Sequence, residues 1–180
     1  RLVEILPTEI RDFVSQRNIS IMNTPDYVKF RGDDKFCTSD GCYVPKNSVI
    51  ALRLDSPRFF DGKNFNFDEI KAVIAHEEVH RAIHYLTPEE FKIIVDKFVS
   101  KSDWSFQKNL FTSYWSDYPS ADNRVVVSEM IGRVIEYRTS PFPNDHIEGV
   151  VKGFSKSVDG EVEGLLELGL SRFRAGETPK

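Results

Sequence analysis

The sequence predicts an α+β fold in which a small, mostly antiparallel sheet precedes a helical C-terminal half. Short runs rich in β-branched and aromatic residues, separated by turn signals, fill residues 19–54. From residue 67 onward the apolar residues instead recur at helical spacing. We expect a single domain, residues 1–180, because no linker, internal repeat or low-complexity stretch divides the chain.

The N-terminal third contains one helix signal followed by four strand-like runs. Thr8 can cap a helix whose apolar face carries Ile10, Phe13 and Val14. The predicted strands lie in ISIM, DYVKFRG, KFCTSDGCYV and SVIALRL. A turn at Pro45-Lys46-Asn47 separates the last two runs, because proline and asparagine both favour turns. These segments predict the small sheet.

Five further helices are predicted after residue 66. The first covers about residues 67–86, and the second carries a clear N-terminal signal. Thr87 is its cap, Pro88 takes the first helical position, and Glu90 follows three residues after the cap. The remaining helices lie in SDWSFQKNLFTSYW, RVVVSEMIGRVIEYR and DGEVEGLLELGLSRFR, and the prolines of TSPFPNDH predict a loop before the last one.

Charge and hydropathy exclude several classes of partner. The net charge of −4 gives no global basic field, so we expect neither nucleic acid nor an anionic membrane surface as a partner. No apolar run approaches the ~18 residues of a membrane span. Because the chain begins at Arg1 rather than methionine, we expect a fragment or a processed product. A cytoplasmic and a secreted location both remain open.

The two cysteines, Cys37 and Cys42, flank a four-residue turn-like segment. On a hairpin they can face each other and form a disulfide in an oxidising compartment. In an intracellular protein they would instead be two reduced thiols packed in the sheet. The sequence leaves both alternatives open.

Three of the four histidines lie in KAVIAHEEVHRAIHYL, at positions 76, 80 and 84. Two histidines four residues apart on a helix differ by about 40° in direction and about 6 Å in height, so their imidazoles can converge on one ion. Glu77 directly follows His76, and a glutamate at this spacing can act as a general base for a bound water. His76, Glu77 and His80 therefore predict a metal site with hydrolytic chemistry.

The segment AHEEVH resembles the metal-binding helix of the zincins, a class of metallopeptidases, and GCYVPKNSVIAL is similar to the strand-turn-strand that precedes that helix. The resemblance implies a zincin-like fold, one zinc ion per chain, and peptide hydrolysis through a zinc-activated water with Glu77 as general base. It also implies a protein or peptide substrate, bound as an added strand along residues 48–54. Glu78 and Arg81 depart from the family's uncharged residues, which suggests that the far side of this helix is partly exposed.

Glu129 is the expected third ligand. His84 lies ~12 Å along the helix axis from His76, too far for both to bind one ion. Glu129 belongs to an apolar helix, about residues 124–138, where an unpaired carboxylate would be costly. The segment around it resembles the glutamate helix of gluzincins, especially the small single-domain minigluzincins. Arg133 would then orient the carboxylate.

Two further residues of this helix bear on the site. Gly132 would let the two metal-binding helices approach closely, and Glu136 is a reserve ligand on the same face. The alternative without a metal is an exposed ion pair within the helix between Glu129 and Arg133.

A group that stabilises the oxyanion of the reaction is harder to place. Four residues are candidates: Tyr114, Tyr118, Tyr137 and His146. The spacing does not choose among them, and we favour His146 as a catalytic residue because it titrates near neutral pH.

The predicted function is that of a zinc metalloendopeptidase of gluzincin type. The alternative is a catalytically inactive zincin-fold module that keeps the metal and serves binding or structure. A metal-free helical domain is the third hypothesis. Metal content separates the third hypothesis from the other two, and a Glu77 variant assayed with peptides separates those two.

Overall fold

The computed structural model describes residues 6–31, 40–114, 122–140 and 145–180, except for the side chains of residues 30, 31 and 145–147. The helices are α1 (Thr8–Ser15), α2 (Thr24–Arg31), α3 (Phe67–His84), α4 (Pro88–Val99), α5 (Trp104–Tyr114), α6 (Asn123–Thr139), α7 (Asp145–Ser155) and α8 (Gly160–Arg174). The strands are β1 (Ile19–Met22), β2 (Gly41–Val44) and β3 (Val49–Arg53), and a 3₁₀ turn joins β2 to β3. No helix in these ranges is both long and apolar enough to cross a membrane.

The predicted α+β class is confirmed, but the sheet is mixed and not mostly antiparallel. The strand order is β1-β3-β2, with β1 parallel to β3 and β2 antiparallel to it. The predicted strand in DYVKFRG is wrong, because residues 24–31 form α2. The missed signal is a helix start, in which the side chain of Asn23 accepts a hydrogen bond from the amide of Asp26 at 2.9 Å and Pro25 lies in the first turn.

The central position of β3 contradicts the predicted site of strand addition. Val49–Arg53 pairs with β1 on one side and with β2 on the other. A substrate strand therefore cannot hydrogen-bond along residues 48–54, since both edges of β3 are already used. The resemblance implies an exposed edge at β3, the last strand before the helix. In this protein β1 pairs with β3 in parallel and covers that edge.

Helix α3 joins the two larger of the three hydrophobic clusters among the described residues. Its N-terminal half packs on the sheet through Ile70, Val73 and Ile74. Its C-terminal half packs among the other helices through Val79 and Ala82. Residues early and late in α3 are therefore held by different parts of the fold, and the side chains midway along it lie at their junction.

Helix α7 was not predicted, although Val150, Val151 and Phe154 on it are buried in the helical core. Gly149 and Gly153 lower the intrinsic helix propensity of this segment, each by about 1 kcal/mol relative to alanine. The helix forms because its apolar face is buried, which local propensity does not register.

Arg81 links α3 to the residues that directly precede β1 and β3. Its guanidinium donates to the main-chain oxygens of Arg17 at 2.8 Å, Asn18 at 3.1 Å and Ser48 at 3.2 Å. The side chain is only 1% exposed, so the expectation of an exposed far side is wrong at this position. Asn18 and Ser48 have positive φ values of 52° and 50°, and Arg81 binds the carbonyl of each.

The disulfide alternative holds for Cys42, which is disulfide-bonded. Its side chain is buried in a small cluster with Tyr27 and Ala51. Cys37, the other cysteine of the sequence, lies outside the described residues.

The predicted start of α4 is confirmed, and an ion pair also connects it to α8. Thr87 and Glu90 form a capping box, and the Glu90 carboxylate binds Arg172 through both oxygens, at 2.6 and 2.8 Å. The hydrogen bonds from Arg172 and from the Thr87 amide lower the pKa of Glu90 to about 2. Thus the carboxylate is paired with a cation and a main-chain donor at neutral pH.

This pairing predicts a pH-dependent stability. The pKa of Glu90 is below its ordinary value of 4.5, so its contribution is present above about pH 4.5 and disappears as the pH falls towards 2. Solvent screening limits that contribution to about 1 kcal/mol. We expect Glu90→Gln to unfold at lower urea concentration at pH 7 than the wild type, and the difference to shrink by pH 2.5. The neighbouring exposed Glu89→Gln is the control, and an equal loss in both variants would contradict the assignment.

Candidate metal centre

Three of the predicted ligands converge at the junction of α3 and α6. His76 Nε2 and His80 Nε2 are 3.1 Å apart. Glu129 Oε2 lies 3.4 Å from His76 Nε2, and Glu129 Oε1 lies 3.3 Å from His80 Nε2. The two contacts use different oxygens of Glu129, and one ligand atom from each of the three residues lies within 4.8 Å of the other two.

The electrostatics of this cluster also fit a cation. Oε2 of Glu129 is enclosed and has no hydrogen-bond partner in the described part of the chain. Burial raises the pKa of Glu129, but the two imidazoles outweigh burial and hold this pKa well below its usual range. A buried carboxylate with an unsatisfied oxygen is costly unless a positive charge meets it. The His76, His80 and Glu129 cluster could hold a metal ion.

The raised pKa of His76 also indicates a position that favours positive charge. Burial and the Arg133 guanidinium lower the pKa of His76, but interactions with Glu129 and Glu136 raise it to about 9. The two acids thus favour a positive charge at this position. A bound metal ion would supply that charge and displace the proton, because imidazole must be neutral to ligate.

Gly132 allows the two helices to approach closely enough for this geometry. A Cβ atom at this position would lie 2.8 Å from Cε1 and 2.9 Å from Nδ1 of His76. Any side chain larger than hydrogen would therefore displace the imidazole. The predicted close approach is found here, with the ring of His76 lying directly over the backbone of α6.

Glu136 contacts the ring nitrogen of His76 that does not face His80 and Glu129. Its Oε2 lies 3.0 Å from His76 Nδ1, and a carboxylate there favours a proton on Nδ1, which leaves Nε2 to ligate when the ring is neutral. The reserve ligand of the sequence analysis thus contacts the opposite nitrogen of His76. Arg133 NH1 lies 2.8 Å from the same Glu136 oxygen. Arg133 was expected to orient Glu129 and instead contacts Glu136.

Arg58, which the sequence analysis missed, completes this support. It lies 2.8 Å from Glu136 Oε1 and 2.5 Å from Glu69 Oε2. Burial raises the pKa of Glu136, but Arg133, His76 and Arg58 hold it well below its usual range. Arg58 belongs to the segment after β3 and no sequence pattern marks it, so only the tertiary structure could identify it.

We expect Glu136→Gln to weaken zinc binding by about 10- to 100-fold, because an amide holds the Nδ1 proton of His76 less strongly than a carboxylate does. Competition with a chromophoric chelator measures the affinity. Glu163→Gln, an exposed glutamate on α8, is the control and should bind zinc as the wild type does. Equal affinities in both variants would show that Glu136 does not orient the ligand.

A cleft of about 310 Å³ opens beside the three ligands. It is lined by Tyr43, Pro45, Glu77, His80, Ile83, His84, Val125, Ser128 and Glu129. The His76 side chain is 3% exposed and that of His80 is 20% exposed, so the centre faces the cleft on the side of His80. A molecule in the cleft would therefore reach the three residues from the side of His80.

Glu77 is buried at the edge of this cleft. Burial raises its pKa, and the imidazoles of His76 and His80 only partly offset burial. A Cβ atom on Gly41 would lie 3.3 Å from Glu77 Oε1, so the backbone of β2 passes directly beside the carboxylate. A carboxylate with a raised pKa accepts a proton more readily, as a general base requires.

Two of the four oxyanion candidates are described, and neither lines this cleft. Tyr114 is 43% exposed on α5, and Tyr137 bonds to Glu148. Tyr118 lies outside the described residues, as does the side chain of His146. The structure instead brings Tyr43 and His84 to the cleft, and Tyr43 carried no sequence signal.

The chain matches no protein-family model, and neither a curated protein nor a solved structure matches it. The family and the activity therefore remain proposals.

Proposed function

We propose that this protein is a zinc-dependent metallopeptidase of gluzincin type that hydrolyses internal peptide bonds. The observation that carries the proposal is the convergence of His76, His80 and Glu129 within 4.8 Å of one another, next to a cleft that also contains Glu77. Imidazole and carboxylate donors suit zinc, and three protein ligands leave a tetrahedral ion one open position. A metal-binding cluster that serves structure alone would usually be closed by a fourth ligand.

The chemistry divides between the ion and the residues around it. When bound, zinc acidifies a water molecule and polarises a carbonyl group. Glu77 accepts a proton from the attacking water and delivers it to the amide nitrogen that leaves, so no covalent intermediate with the protein forms. Glu136 keeps His76 in the tautomer that ligates, and Gly132 keeps the ring in place. The burial of Glu77 keeps its proton affinity high.

The cleft suits an extended peptide between β2 and α6. Its wall combines apolar side chains of Pro45, Ile83 and Val125 with the polar side chains of the centre. Among the described residues that line it, none is lysine or arginine, so these residues offer no fixed cation to a free C-terminal carboxylate. This favours cleavage of internal bonds.

Metal content and hydrolysis test the proposal together. Protein purified without a histidine tag or chelators should contain about one zinc ion per chain by inductively coupled plasma mass spectrometry. It should cleave a quenched-fluorescence peptide library, lose this activity to phenanthroline and regain it with added zinc. No metal after reconstitution would contradict the whole proposal. Zinc with no cleavage of any peptide would favour the inactive zincin-fold module.

A further inference from the structure

Tyr43 and His84 form a polar pair in the wall of the cleft. The Tyr43 hydroxyl lies 2.8 Å from His84 Nδ1, and both side chains line the cavity. Tyr43 belongs to β2 and His84 is the last residue of α3, so the pair joins the two elements that border the centre. Neither residue has a role in holding the metal ion or in moving the proton of the reaction.

The pair retains a hydrogen-bond donor that its own contact does not use. Burial lowers the pKa of His84, so its imidazole is neutral and carries one N–H donor. If the Tyr43 hydroxyl donates to Nδ1, the proton of His84 is on Nε2. If Nδ1–H donates instead, the Tyr43 hydroxyl donates to Ser48 Oγ at 3.5 Å, the long limit of a hydrogen bond. The pair therefore offers a ligand the Nε2–H of His84 in the first arrangement, and in the second a hydroxyl whose weak bond to Ser48 a ligand can replace.

The distance along the cleft identifies which part of a substrate this donor can reach. His84 follows Glu77 by seven residues, two helical turns on the same face, or about 10.5 Å. On β2, Tyr43 follows Gly41 by two residues, or about 7 Å. An extended peptide advances about 3.3 Å per residue, so the pair lies two to three residues from the reacting bond. It is too far away to touch the scissile carbonyl.

We propose that Tyr43 and His84 form a binding subsite that donates a hydrogen bond to a main-chain carbonyl of the substrate, two to three residues from the scissile bond. The inference rests on the proposed peptidase function. A main-chain acceptor is favoured because every extended peptide presents one there, whatever its side chains. The subsite would make the enzyme prefer peptides long enough to reach it.

Peptides of graded length test the subsite. A short cleavable peptide is lengthened by alanines in two series, one at each end, so that only main chain is added. For the wild type, we expect kcat/KM to rise roughly fivefold in one series when the added residues reach the pair, through a lower KM. In Tyr43→Phe and in His84→Gln, lengthening the peptide should no longer raise kcat/KM, whatever their activity on the shortest peptide. Tyr85→Phe is the matched control, since it removes a buried hydroxyl that binds Ser48 outside the cleft lining, and it should keep the gain.

The outcomes separate this inference from the proposed function. Cleavage with the same length dependence in the wild type and the Tyr43→Phe variant would overturn the subsite alone. If no peptide is cleaved, the proposed function fails, and binding of the two series to the zinc-loaded protein by fluorescence anisotropy decides the subsite. A length gain in binding that Tyr43→Phe removes would support it, and binding without such a gain, or no binding, would overturn it.

Discussion

A Glu77→Gln variant should keep its zinc and lose peptide hydrolysis by a factor of about 10² to 10⁴. Glutamine has nearly the same shape as glutamate but cannot accept the proton of the attacking water. Glu77 lies beside the three ligands and is not one of them, so their geometry should survive the change. The measurement compares kcat with the zinc content of the same protein samples.

Glu78→Gln provides the matched control, one residue further along the same helix. Glu78 lies 3.6 Å from Arg17 and is absent from the residues that line the cleft. We expect this variant to bind zinc and to cleave peptides at close to the wild-type rate. If Glu77→Gln retained the activity of Glu78→Gln, the general-base assignment would be wrong even with zinc in place.

A Gly132→Ala variant should lose the metal centre while the rest of the fold survives. The added Cβ would lie 2.8 Å from Cε1 of His76, closer than any stable contact, and the hydrogen bond to Glu136 restrains the ring from moving away. Alanine gains about 1 kcal/mol over glycine in a helix, but overpacking a buried contact costs about 1–3 kcal/mol. We expect a small net loss of stability and about 100-fold weaker zinc binding, because the ligand itself has to move.

Gly164→Ala is the control for this change. Gly164 lies in α8, and a Cβ atom there would have no neighbour within 4 Å. We expect this variant to gain about 0.5–1 kcal/mol in the free energy of unfolding and to bind zinc normally. Unchanged zinc affinity in Gly132→Ala, measured by chelator competition, would mean that the His76 ring can shift without loss of the centre.

The local part of the centre was predictable because one helix carries it. His76, Glu77 and His80 lie at positions 1, 2 and 5 of the motif, and the rise and turn of an α-helix place the two imidazoles together whatever else the chain does. Glu129 was predictable for a different reason. A carboxylate among apolar residues of a helix needs a partner, and its burial with an unsatisfied oxygen bears this out.

The start of α4 was predicted correctly, because Thr87 and Glu90 mark it. The predicted cap of α1 is wrong, since Pro7 holds the N-cap position and Thr8 is the first residue of the helix. The misses have local causes. Residues 24–31 contain strand-favouring residues behind a helix start, and α7 forms on buried side chains against its glycine content. In both segments, capping or core packing outweighs the propensity of individual residues.

By itself the sequence determined the α+β class, the helix that carries His76 and His80, and the residues of the cluster, because these follow from periodicity and from spacing within single helices. Only the tertiary structure decided that β3 is central, that Arg58 and Arg133 converge on Glu136, and that Tyr43 meets His84 in the cleft. These contacts join residues from separate elements, and nothing in the local sequence encodes the distance between them. They form because α3 packs against the sheet at one end and among the helices at the other, which brings β2, the segment after β3 and α6 to one place.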